Sequence, residues 1–158
     1  PGGNEGRTVV YCNHLDNGNA APLGVGVQRY LLKGGVERLV VGHQPHGDCP
    51  TVIRSGDVTV VTADTSYSKM GNKTVVKDMW GKEHSWADNR GEAVSEVLVY
   101  LDGSMQVHGV LSDGERIEYS LFREEMDEFV GRQLKDGRWV KARKGRIGEA
   151  SATDYILC

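Results

Sequence analysis

The 158-residue chain is poor in cysteine and proline, and it holds no long hydrophobic run. Cys12, Cys49 and Cys158 are an odd, scattered set, with neither the spacing of a disulfide framework nor that of a cysteine metal knuckle. They fit reduced thiols, and hence an intracellular setting. No apolar stretch approaches the roughly 18 residues of a membrane-spanning helix, so no membrane partner is expected. A net charge of −3 supplies no basic field that would call for nucleic acid as a structural partner. No secretory signal is visible, and Pro1 reads as the first residue of a fragment. The apolar fraction of 39% still allows an ordinary core.

Two of the prolines fall in one short stretch, "VVGHQPHGDCPTVI", residues 40–53. An apolar strand runs into Gly42-His43, and Pro45, His46, Gly47, Asp48, Cys49 and Pro50 follow before the chain turns apolar again. Packing gives no reason for two histidines in a glycine- and proline-rich turn. Neutral imidazole is a common ligand for Zn, Fe, Mn and Ni, and a strand-end loop holds it in a fixed direction. Gly42 presents no Cβ to an approaching group. His14 follows the strand-like "TVVYC" (residues 8–12) in the same way. If those strands are parallel neighbours joined by a helix over 22–33, both histidines fall at the carboxyl edge of the sheet, where ligands bind in open α/β sheets. Spacing alone leaves a second reading: His14 and His46 as loop histidines bonded to backbone or water.

Around this stretch the chain divides by texture. Leu23, Val27 and Leu31 recur at steps of four after Pro22, and Gly34-Gly35 supplies a stop, so a helix is expected there. "ERLVVG" reads as a strand, and "TVIRSGDVTVVTAD" as two strands around Ser55-Gly56-Asp57. Residues 65–92 are polar with little periodicity and read as a long loop. Beyond them, Asp102-Gly103, Asp113-Gly114 and Asp136-Gly137 each sit between strand-like runs, the pattern of tight hairpins. "DYILC" adds a last strand. The expected fold is strand-rich with one or two helices: an α/β-type part, then an antiparallel β-hairpin extension. The divisions are residues 1–70, a loop over 71–92, and the extension over 93–158.

"LVVGHQPHGDCPTVI" together with "VTVVTADTSYS" resembles the terminal part of a calcineurin-like metallophosphoesterase, in which an apolar strand ends in Gly-His of G-H-x-H or G-H-x-P type and a later strand ends in Asp-Thr. The G-H-x-P-H-G variant with A-D-T-S-Y-S is similar to a protist and algal subgroup that carries a C-terminal β extension. The match spans about residues 8–70. It implies half of a metallophosphoesterase β-sandwich and hydrolysis of phosphoesters at a dinuclear centre of Fe, Mn or Zn, with a phosphorylated substrate. His43 matches the Gly-His metal ligand, and His14 the ligand histidine that precedes it. Pro45 stands where the G-H-x-H form has its second histidine; His46, one residue later, is then the catalytic candidate, facing the substrate phosphate or packing against the turn. Asp64 and Tyr67 match the strand-end segment near the substrate, or else Asp64 bonds a loop and Tyr67 is part of the packing.

The family's Asp-x-His, Gly-Asp-x-x-Asp and Gly-Asn-His-Asp/Glu motifs are missing. "GDCPT" and "GDVTV" lack the second acid, and "CNHLD" lacks the preceding glycine. The resemblance therefore implies the distal part of a longer enzyme whose other half supplies the carboxylates, with this chain binding little metal by itself. The alternative is a non-catalytic β-rich binding or scaffold module with a degenerate site. His84 and Trp86 in the polar stretch read as loop residues, His108 as a strand-face residue, and the basic run from Arg132 to Arg146 as the solvated faces of a hairpin. Cys49 has no evident base beside it and is not expected to act as a nucleophile.

Overall fold

The computed structural model describes residues 14–16, 19–42, 49–65, 74–77, 81–86, 94–111, 113–121, 127–145 and 155–157. The described chain begins with a minimal hairpin, β1 (Leu15–Asp16) and β2 (Asn19–Ala20), and enters helix α1 (Val25–Lys33). No side chain caps α1 from Gly24; instead the Leu23 N–H donates to Ser55 Oγ at 2.9 Å, and Gln28 Nε2 donates back to the Leu23 carbonyl at 2.6 Å. The helix stops at the expected glycines: Gly35 takes φ +74°, and the Val36 N–H donates to the Leu31 carbonyl at 2.9 Å.

The expected apolar stripe is rotated. Val27 is exposed, and the residues packed inward from α1 are Leu31 and Leu32. Leu23 is buried but precedes the helix, so the step-of-four reading started one turn too early.

Strand β3 (Arg38–Val41) lies parallel to β5 (Val58–Thr62), and β4 (Thr51–Ser55) pairs antiparallel with β5, giving the order β3-β5-β4. The β4–β5 turn falls at Gly56-Asp57, with Gly56 at φ +61°. The sheet separates two apolar clusters, and its alternation sorts side chains between them. Val52 and Val61 join Met105, Val107, Ile117 and Tyr119 in one. Ile53, Val58 and Val60 join Leu15, Leu23 and Trp139 in the other, against α1. The indole N–H of Trp139 donates to the Val52 carbonyl at 3.0 Å, which satisfies the only polar atom of a largely buried ring.

The polar stretch expected as a loop contains an antiparallel hairpin, β6 (Thr74–Lys77) with β7 (Glu83–Trp86), so His84 and Trp86 lie on a strand. Then comes the expected meander: β8 (Val94–Val99), β9 (Met105–Val110) and β10 (Arg116–Ser120), in the order β10-β9-β8. Its turns share one device. Asp102 accepts the Ser104 N–H, Asp113 that of Glu115 and, further on, Asp136 that of Arg138, at 2.9, 2.9 and 3.1 Å. In each, the following glycine has φ between +81° and +92°. The aspartate closes the turn and the glycine makes it possible. At the surface this geometry holds the Asp102 carboxyl below the ordinary carboxylate range, through its hydrogen bonds from Ser104 first.

β11 (Val140–Arg143) pairs antiparallel with β12 (Tyr155–Leu157), the expected last strand, with a register shift between Val140 and Ala142. Asp127 organises this end. Its carboxylate accepts the N–H groups of Phe129 (2.9 Å) and Val130 (3.1 Å) and the Tyr155 hydroxyl (3.0 Å), with Arg143 3.8 Å away. The basic run is accordingly less solvated than expected: Lys141 is buried and Arg143 faces Asp127. The larger apolar cluster takes Cys49, Val52 and Val61 from before residue 70 and Met105 to Ala142 from after 93, so both stretches contribute to one core.

Among the described residues the chain is therefore strand-rich with one helix, and no helix is long and apolar enough to cross a membrane. Two substitutions read the core directly in urea unfolding. Ile53→Ala deletes a fully buried side chain and should cost about 2–5 kcal/mol. Tyr119→Phe should cost nothing or stabilise. Its buried hydroxyl has no hydrogen-bond partner among the described residues, and removing such a group relieves a desolvation cost of about 1–3 kcal/mol.

Candidate functional site

The parallel pairing of β3 and β5 decides which residues meet at the sheet edge. Val41 lies opposite Thr62, and the Ala63 N–H donates to the Val41 carbonyl at 2.8 Å, so the pairing continues past both strands. Gly42 and Asp64 are the next residues out. A Cβ built on Gly42 would lie 3.9 Å from that of Asp64 and meets nothing closer among the described residues. Gly42 is exposed and Asp64 half-buried.

The antiparallel strand β4 starts at the same edge. Thr51 lies opposite Thr62, whose hydroxyl donates to the Thr51 carbonyl (3.3 Å) and accepts its N–H (3.2 Å). Cys49 and Pro50, just before it, are buried. Gly42 and Cys49, the flanks of the His43–Asp48 segment, thus both lead from one edge. That is the carboxyl end of the parallel pair, where the sequence reading put its ligands. His43, His46 and Tyr67 lie outside the described residues.

His14 is described and is 5% exposed. It opens the β1–β2 hairpin, its carbonyl accepting the Ala21 N–H at 2.8 Å, and Leu15 beside it belongs to the cluster under α1. Burial lowers its pKa from the ordinary histidine value, which keeps the imidazole neutral, the form that binds a metal. Residues 8–12, the strand expected before it, lie outside the described residues, and the observed parallel partner of β3 is β5.

Among the described residues no three His, Cys, Asp or Glu side chains converge on a point that could hold a metal. His14 and Asp64 are suitable donor types, but two such donors do not make a site.

The other candidates resolve as ordinary structure. His108 sits half-buried on β9 with Nδ1 3.4 Å from Glu96 Oε1. Cys49 is a buried cysteine, in no disulfide, against the larger cluster, a packing position with no nucleophile's exposure.

The opposite edge carries a grouping that no motif announces. Below the Gly56-Asp57 turn, a cavity of about 730 Å³ is lined by Arg38, Arg54 and Arg132 among others. In the sequence Arg54 falls in a strand-like run with no motif around it, and Arg132 reads as part of a solvated basic run. The register sets Arg38 and Arg54 on either side of Thr59, and the packing of residues 127–132 beside β4 adds Arg132; no local pattern signals that.

No family model, curated protein or solved structure matches the chain.

Gly42→Ala tests whether the glycine serves the fold. The added methyl has ordinary van der Waals room, so the change in unfolding free energy should stay within about 0.5 kcal/mol, as for a surface substitution. A larger loss in urea titration would make Gly42 a structural glycine.

Proposed function

We propose that this chain contributes the distal part of a metal-dependent phosphoesterase, with the Gly42–Asp64 edge bordering its site. The observation that carries the reading is the emergence of Gly42 and Asp64 side by side from the parallel pair β3 and β5. The G-H-x-P-H-G motif begins at that glycine and the A-D-T-S-Y-S motif includes that aspartate. Two motifs separated in the chain by all of β4 and β5 therefore share one edge.

The resemblance assigns His43 and His14 as metal ligands and His46 to the substrate phosphate. His14 supports its part through burial, which favours neutral imidazole. A pair of Fe, Mn or Zn ions, when bound, would supply Lewis-acid polarisation of the phosphate and an activated water. This chain's own residues would hold imidazole at the strand edge, and His46 would move a proton at the leaving oxygen. The missing Asp-x-His and Gly-Asp-x-x-Asp motifs support a site completed by another part of the protein.

Metal analysis and kinetics on the complete protein test the reading. His43→Ala should lose bound metal and all phosphomonoester hydrolysis, with the fold kept. His46→Ala should keep metal and lose rate by about 10²–10⁴-fold, the scale of a positioned acid or base. The 158-residue chain alone should bind metal weakly and not turn over an aryl phosphate. Full metal occupancy and normal rate in His43→Ala would overturn the assignment, and a metal-free, inactive complete protein would leave the β-rich scaffold.

A further inference from the structure

The cavity at the other edge has no part in that chemistry. Asp57 precedes β5 and Asp64 follows it, so the strand's five residues hold the edges roughly 16 Å apart. Arg38, Arg54 and Arg132 line the cavity together with three acids, Glu37, Asp57 and Glu128, and Thr59 stands between Arg38 and Arg54 in the strand register.

Arg54 is fixed before any ligand arrives. Its N–H donates to the Gly131 carbonyl at 2.8 Å, and Gly131 lies so close that a Cβ there would sit 2.9 Å from Arg54 Cγ. Gly131 has φ +82°, so this close approach needs glycine. At the far end of the side chain, Nη2 donates to the Asp127 carbonyl. Nε is buried, with no hydrogen-bond partner among the described residues. Burial first, and then the positive charge of Arg132, lower the Arg54 pKa, against the opposing pull of Asp127. Among the described residues, no salt bridge joins Arg38, Arg54 or Arg132 to an acid, though the Arg38 guanidinium reaches the Asp102-Gly103 turn, where its charge favours the Asp102 carboxylate.

We propose that this cavity is a binding site for a phosphate group, carried by a small phosphate monoester and held by Arg54 on its rigid stem with Arg38 and Arg132 closing on it. A planar guanidinium offers paired donors that match phosphate oxygens. An anion here offsets the unfavourable approach of the Arg54 and Arg132 charges. The cavity's volume lies within the range of small-molecule sites. The site stands whether or not hydrolysis occurs at the Gly42 edge.

Titration of the 158-residue chain with inorganic phosphate at constant ionic strength, followed by amide NMR shifts, tests it. Saturable shifts should centre on Arg54, Thr59 and Arg132. Arg38→Gln and Arg132→Gln, chosen because neither is buried, should each weaken the apparent affinity by about tenfold, and Lys135→Gln on the exposed Asp136-Gly137 turn should leave it unchanged. Absence of saturation overturns the proposal, as does unchanged affinity in both arginine variants. Shifts centred on Gly42 and Asp64 also overturn it and assign the phosphate to the other edge.

Discussion

Strand β5 is buried on both faces, and the rest of the molecule is arranged around that constraint. Val61 points into the cluster shared with the meander and Val58 and Val60 into the cluster under α1. Its two hydrogen-bonding edges are also taken, one by β3 in parallel and the other by β4 in antiparallel pairing. A strand enclosed in this way has little freedom to slip, because a one-residue shift would exchange its faces and move Thr59 and Thr62 into the wrong layer. Fixing β5 fixes both of its ends, and each end borders one of the two candidate sites.

Those ends differ in kind. At the carboxyl end, exposed Gly42 meets half-buried Asp64 and gives approach to the backbone. At the amino end, Arg54, Arg38 and Arg132 gather in a cavity, with no salt bridge to an acid among the described residues. Backbone opening suits a site built from strand-end loops; fixed guanidinium groups suit capture of a preformed anion. Asp127 links the second arrangement to the fold, since its backbone carbonyl holds Arg54 and its carboxylate ties Tyr155 to the 127–130 turn.

The hairpin turns were legible because their cause is local. An aspartate that accepts the amide two residues on, followed by a glycine at positive φ, needs no distant partner, and all three Asp-Gly pairs turn as read. The strands around Gly56 and the stop at Gly34-Gly35 were local in the same sense. What stayed hidden was tertiary. The β6–β7 hairpin has too little apolar alternation to read as strands, Lys141 is buried inside a run that looked solvated, and Val27 faces water despite its helical spacing. Of the candidate site, the edge holding Gly42 and Asp64 was legible from motifs at the ends of strands. The arginine cavity was not, because Arg38, Arg54 and Arg132 are brought together only by the fold.

Titration of the chain with Mn²⁺ under amide NMR tests the role of the Gly42 edge most directly, because paramagnetic broadening registers weak binding at its location. If the edge borders a metal site, the amides of Gly42 and Asp64 broaden first while those of Asp57 and Thr59, at the other end of β5, stay sharp. Broadening that begins at exposed acids such as Asp136 or Glu128 and leaves Gly42 and Asp64 sharp would contradict a metal site at this edge.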